Sequence, residues 1–177
     1  MLKKNIGKKL ALLTLIVAAI TSAQAQIVIP KANFQFDFPD NHWKYLETLE
    51  IDNTTNIYLY SGTPTITKNN DTILPFMRLY VKTDIGKKNA LDFAMERFMQ
   101  QPFIIVDEFN ESPLLPTKSS LGYTGIYRDK DGQRNKFYMI YFTNKGSLTE
   151  LRLESSEDTF ENKRAEFETI LKSIKLN

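Results

Sequence analysis

The stretch Lys136–Leu176 constrains the fold more than any other part of this chain. It opens with Lys136-Phe137-Tyr138-Met139-Ile140-Tyr141-Phe142-Thr143. Almost every side chain there is large and apolar, so a strand made of it needs cover on both faces. Gly146 turns the chain into a second strand carrying Leu148, Leu151 and Leu153. Glu150, Arg152 and Glu154 alternate with these leucines and are expected to be solvated and partly to cancel one another. A helix then runs from near Asp158 to about Ile174. Its apolar residues Phe160, Phe167, Ile170, Leu171 and Ile174 fall on one helical stripe. Such a stripe needs a sheet to lie on, and the preceding strands supply it.

Upstream, Gln26–Asn33 reads as a short lead-in. Phe34, Phe36 and Phe38 alternate with Gln35 and Asp37, the period of a half-buried strand that Pro39 ends. A turn through His42 and Trp43 leads to Tyr45–Ile51 and Asn56–Ser61, the arms of a hairpin over Asp52-Asn53-Thr54-Thr55. Gly62–Asp71, rich in Gly, Pro, Thr and Asn, reads as a loop or an irregular hairpin. Phe76–Lys82 is a strand with Met77, Leu79 and Val81 on one face and Phe76, Arg78 and Tyr80 on the other. Asn89 caps a helix, with Asp92 placed to reach back to it. That helix, Ala90–Gln101, has Leu91, Ala94, Met95 and Phe98 at the spacing of one amphipathic face, and Pro102 stops it. Phe103–Phe109 is a strand, Asn110–Ser120 a surface connection, and Leu121–Arg128 pairs with Arg134–Thr143 across a turn containing Gly132.

Two main helices and about six to seven strands, mostly joined by hairpins, predict an α+β fold with a largely antiparallel sheet. The doubly apolar strand predicts one helix on each face, a three-layer α/β/α sandwich.

The first 25 residues read as a secretory signal peptide rather than as part of the fold. Lys3, Lys4, Lys8 and Lys9 form a basic start, Leu10–Ile20 an apolar core, and Ala23-Gln24-Ala25 a small-residue cleavage pattern. An uncut anchor is the alternative, but eleven residues are short for a bilayer. Cleavage after Ala25 leaves residues 26–177 as a single domain of 152 residues, periplasmic or extracellular, with no stable membrane insertion. With no cysteine in the chain, lipoprotein anchoring and disulfide stapling are both excluded. The whole-chain charge of +2 is set by the four leader lysines. Without them, 19 basic residues face 21 acidic ones, a net −2 that points away from nucleic acid and anionic lipid.

Several of these segments together resemble a known family. They are the Phe-rich strand closed by Pro39 and followed by Trp43, Leu121-Gly122-Tyr123 opening a hairpin of aromatic strands, and the ending Phe160…Phe167-x-x-Ile170-Leu171-x-Ser173-Ile174. This order resembles the PsbP-like proteins, the extrinsic photosystem subunits and their bacterial relatives, which share a fold with the Ran-binding Mog proteins. The resemblance spans roughly residues 34–175. It implies a three-layer sandwich and a non-catalytic binding or assembly role, and carries no functional residues over. The short lead-in before Phe34 lacks the extended N-terminal segment of the photosystem subunits, which points to a generic exported relative.

The chemistry in the sequence is sparse. One histidine and no cysteine leave no zinc-type site and no Cys–His pair. His42 lies in a polar turn, and no G-x-S-x-G elbow accompanies it. Asp129 and Asp131 begin like a calcium loop, but Gly132 comes too early and no Glu holds the twelfth position. No cofactor or metal is expected. Paired carboxylates for a hydrolase stay open, since spacing in sequence does not measure their separation.

The expected function is therefore that of an exported, non-catalytic binding or assembly-accessory domain with a protein partner in the cell envelope. The alternative is a carrier of a small apolar ligand or lipid, using an aromatic pocket near Trp43. The candidate contact residues are His42, Trp43 and Tyr45. Trp43 also has a plainer role as a core anchor, and the strand tyrosines read as packing residues.

Overall fold

The computed structural model describes residues 26–100, 102–109 and 112–177. The proposed leader, and Gln101 at the expected helix end, lie outside the described residues. In chain order the elements are β1 (Gln26–Ile29), a 3-10 turn (Pro30–Ala32), β2 (Phe34–Asp37), β3 (Lys44–Asp52), β4 (Thr55–Ser61), β5 (Thr65–Ile66), β6 (Thr72–Ile73), β7 (Phe76–Thr83), α1 (Ala90–Phe98), β8 (Ile104–Glu108), β9 (Leu121–Arg128), β10 (Arg134–Asn144), β11 (Ser147–Ser156), α2 (Glu157–Lys172) and β12 (Lys175–Leu176).

Seven strands form one antiparallel sheet in the order β3-β4-β7-β11-β10-β9-β8. β10 lies inside it and is covered on both faces, as its composition requires. Tyr138, Ile140 and Phe142 point into one core with Phe160, Phe167, Ile170 and Leu171 of α2. Phe137, Met139 and Tyr141 point into a second core with Ala90 and Phe93 of α1. The architecture is the expected α+β sandwich of three layers. Phe160, Phe167, Ile170 and Leu171 of α2 are buried, and so is Ile174, which lies two residues beyond the helix end at Lys172.

The lead-in reading of residues 26–33 needs correction. Gln26–Ile29 is a strand paired antiparallel with β2, and β12 pairs with the other edge of β2. Ile27 and Ile29 flank Val28, a short apolar run that gains its partner only when the Phe34 strand folds back on it. This small sheet lies on the α2 side, with Phe34 and Phe36 fully buried in that core. Ser173 ties the end of α2 to it: its hydroxyl donates to the Asp37 carbonyl at 3.0 Å and accepts from the Asp37 N–H at 2.9 Å. Residues 62–71 belong to an irregular hairpin, β5–β6. The Lys68 N–H joins it to α2 by donating to the Asp158 carboxylate at 2.8 Å.

α1 starts as read. The Asn89 side chain accepts from the Asp92 N–H, and the Asp92 carboxylate accepts from the Asn89 N–H, each at 3.0 Å. Its orientation is the second correction. The buried residues are Ala90 and Phe93, whereas Leu91, Met95 and Phe98, which gave the segment its amphipathic spacing, are 54%, 61% and 47% exposed. The third correction concerns β11. Glu150 is not solvated; it is completely buried beneath α1. Both corrections have one physical cause, described next.

Candidate functional site

Leu148, Glu150, Arg152 and Glu154 share the face of β11 that looks toward α1, since side chains alternate along a strand. Glu150 sits opposite Tyr80 of β7, and Arg78 lies two residues along the same strand. Its carboxylate accepts from Arg78 Nη2 at 2.7 Å and from Arg97 of α1 through Nε at 2.9 Å and Nη2 at 3.4 Å. The Arg97 guanidinium also lies over the Tyr80 ring, 5.1 Å from its centroid. A buried carboxylate is tolerable only when its charge and lone pairs are met, and two arginines meet them here. Burial pushes the Glu150 carboxyl up. The Arg97 hydrogen bond and the charges of Arg78 and Arg97 outweigh that and hold it below its ordinary value. Nearby, Arg152 pairs with Glu154 and lies over the rings of Tyr127 and Phe137 at 4.4 and 4.7 Å.

Arg97 follows Phe93 by four residues, so both face the sheet. That fixes the roll of α1 and turns the Leu91–Met95–Phe98 stripe sideways. The stripe forms one wall of an open apolar groove of about 370 Å³, whose sheet-side wall is Ile105, Glu108, Leu121, Gly122 and Tyr123. Met99, 83% exposed, closes its helix side. Tyr123 joins the groove to the buried network: its hydroxyl lies 3.3 Å from that of Tyr141. Tyr141 in turn is kept protonated far into alkaline pH, first by burial and then by the charge of Glu150. The groove thus carries apolar side chains on a floor that Tyr123 links to the buried Tyr141.

The sequence named Leu91, Ala94, Met95 and Phe98, but as an amphipathic helix face. Ile105, Leu121 and Tyr123 went unremarked as partners, because strand register brings them beside α1 and periodicity does not encode register. A usable signal was the alternative stripe Ala90–Phe93–Ala94–Arg97, which has the same spacing with an arginine in it.

The three candidate contact residues lie elsewhere. The Trp43 indole is 6% exposed, stacks on Phe38 with centroids 5.1 Å apart, and donates from Nε1 to Glu166 Oε1 at 2.5 Å. His42 is exposed, its Nδ1 3.2 Å from Asp40 in the same turn. Tyr45 is exposed on β3, its hydroxyl donating to Thr48 at 2.9 Å and its ring edge-on to Tyr60 at 5.7 Å. The Asp129 turn closes on itself: Asp129 Oδ1 accepts from the N–H groups of Asp131 and Gln133, and Gly132 takes φ +83°. Among the described residues no cluster of three His, Cys, Asp or Glu side chains could hold a metal ion. Among them, too, no helix is long and apolar enough to cross a membrane.

Strand addition at the sheet edges is not favoured by their build. β3 has irregularities in its pairing near Leu46 and Ile51, and β8 has one near Val106. Both edges carry acids, Glu47, Glu50 and Asp52 on one and Asp107 and Glu108 on the other. Bulges and edge charges are how sheets discourage pairing with another chain.

No family model and no curated protein matches the chain in sequence. Solved structures do match it. Cyanobacterial PsbP (CyanoP) from Synechocystis sp. PCC 6803 aligns 89% of this chain with 95% of its own at TM-score 0.57 and 15% identity. The Ran-binding protein Mog1p of Saccharomyces cerevisiae aligns 88% with 96% at TM-score 0.52 and 7% identity. LpqN of Mycobacterium tuberculosis, involved in cell envelope biogenesis, aligns 90% with 93% at TM-score 0.50 and 13% identity. At such identities the likeness is one of architecture, and this chain has the fold shared by PsbP and Mog1p.

Proposed function

We propose that this chain is an exported, non-catalytic binding or assembly-accessory domain that takes a protein partner of the cell envelope in the groove beside α1. The observation that carries the reading is the exposure of Leu91, Met95, Phe98 and Met99 along one open wall. A small-molecule site encloses most of its ligand. A groove whose own walls stand half in water is covered better by the surface of another protein, with apolar anchors seated between helix and sheet. Two fold neighbours add support, one a Ran-binding protein and one involved in cell envelope biogenesis. Export rests on the basic-apolar-small pattern of residues 1–25.

The test is affinity capture from envelope extract with residues 26–177 and, in parallel, with the Met95→Asp/Phe98→Asp variant. A protein held by the first and lost by the second, at unchanged melting temperature, supports the reading. Identical captures, or none, end it.

A second reading keeps a small apolar ligand or lipid at the aromatic cluster around Trp43. It is favoured by Tyr45, exposed and packed edge-on against Tyr60 beside the Trp43–Phe38 stack. Native mass spectrometry of the purified protein checks it: an added mass lost in Tyr45→Ala supports a carrier, and an apo mass counts against one.

A further inference from the structure

α1 has nine residues, too few to hold a helix by propensity alone, so its place is set by what it packs on. It presents two faces. Ala90, Phe93 and Arg97 face the sheet, and Leu91, Ala94, Met95 and Phe98 face the groove, about a third of a turn away at 3.6 residues per turn. The groove face carries more large apolar surface than the buried one. Judged by the hydrophobic effect alone, α1 would roll toward β8 and β9, bury the stripe and fill the groove. It does not, and the directional contact opposing the roll is Arg97, whose guanidinium is fixed from two sides by Glu150 and the Tyr80 ring. Glu150 is fixed in turn by Arg78, and belongs to the central strand β11 rather than to a loop.

We propose that the Arg97–Glu150 pair is a latch that holds α1 rolled away from β8 and β9 and so keeps the apolar groove open. The two states differ by a roll of one short helix, with the ion pair made in one and the apolar stripe buried in the other. Arg97 acts here as a positioning residue, since it does not line the groove itself. The latch concerns the position of α1 in the free protein, so it holds or fails independently of which partner uses the groove.

The chain has no cysteine, which makes single engineered thiols clean reporters. Residues 26–177 carrying Met95→Cys report the groove face, and Ala90→Cys, nearly isosteric, reports the sheet face. Each is labelled with a maleimide with Arg97 present and with Arg97→Gln. With Arg97 present, Met95→Cys reacts quickly and Ala90→Cys slowly. With Arg97→Gln, the groove thiol slows at least fivefold and the sheet-face thiol speeds up, while Arg97→Lys restores part of the original pattern. Opposite changes are the signature of a roll. Both thiols speeding up together would mean that α1 merely melts, and both unchanged would mean that Arg97 does not set its position; either overturns the latch. If Arg97→Gln does not fold, the pair is read with Arg97 in place, where equal labelling of the two thiols overturns it as well.

Discussion

Arg97 on α1 and Glu150 on β11 meet at 2.9 Å across the boundary between helix and sheet, with the carboxylate wholly out of water. Removing one partner of such a pair strands the other. Glu150→Ala leaves Arg78 and Arg97 facing each other uncompensated, and is expected to cost about 3–5 kcal/mol. Urea unfolding of residues 26–177 at pH 7 measures it. A loss under 1 kcal/mol would mean that water reaches the site.

The same pair gives the domain an acid dependence of known sign. Glu150 is held below its ordinary value of 4.5 in the folded protein. The unfolded chain therefore binds this proton at higher pH than the native one. The stabilisation is complete above about pH 4.5 and is lost as pH falls through the depressed native value. Asp52, Asp158 and Glu161 are also lowered, so the wild-type slope alone does not isolate Glu150. The comparison with Glu150→Gln does. Between pH 5 and 2.5 the variant should lose less stability than the wild type, and parallel curves would refute the assignment.

A contrast within α1 tests its observed orientation. Phe93 is 5% exposed and lies against Tyr80 and Tyr141, whereas Met95 is 61% exposed. Phe93→Ala should cost about 3–5 kcal/mol, and Met95→Ala should stay within about 0.5 kcal/mol. An amphipathic reading of Leu91, Ala94, Met95 and Phe98 as the core face demands the reverse order. Thermal melts of the two variants decide between them.

That contrast also marks how far the sequence is legible. Phe160, Phe167, Ile170 and Leu171 are legible because α2 buries one stripe that is apolar at these positions, so periodicity and packing agree. α1 buries a face containing Arg97, and hydrophobic periodicity scores an arginine as surface. The burial of its partner Glu150 is hidden for the same reason, since alternation with Leu151 and Leu153 marks a solvent face unless a second layer lies over it. That layer was itself expected from the doubly apolar β10, but which strands it covers depends on the order β7-β11-β10, a non-local arrangement. The groove was illegible because half of it belongs to β8 and β9. Trp43 stacks on Phe38 across a single turn, whereas Gly62 reaches its ring only through the pairing of β3 with β4.

The strand tyrosines predict an alkaline limit. Tyr60, Tyr123, Tyr127 and Tyr138 are each pushed up to about 12, in every case chiefly by burial. A phenol whose folded value is raised contributes stability that is whole below the unfolded value near 10 and is lost as pH rises through the folded one. Spectrophotometric titration at 295 nm should therefore show phenols that ionise only near pH 12, accompanied by unfolding. A single transition near pH 10 with retained circular dichroism would contradict the packing.

Gly125 offers a test of the second core that leaves charge untouched. It lies opposite Phe137 across the β9–β10 ladder, and a Cβ built on it would come within 2.4 Å of the Phe137 ring carbon Cζ. The ring occupies the space a side chain would need, and it is held there by Phe103 at 5.4 Å, Tyr123 at 6.3 Å and the Arg152 guanidinium. Gly125→Ala should thus destabilise by about 1–3 kcal/mol, although alanine is otherwise the better strand residue. Phe137→Leu alone should also destabilise, by leaving a cavity. The double variant should be more stable than the sum of the two losses requires, because the methyl group enters the volume the ring vacates. A coupling of at least about 0.5 kcal/mol in a double-mutant cycle is the expected outcome. Strict additivity would mean that the two residues do not compete for the same space.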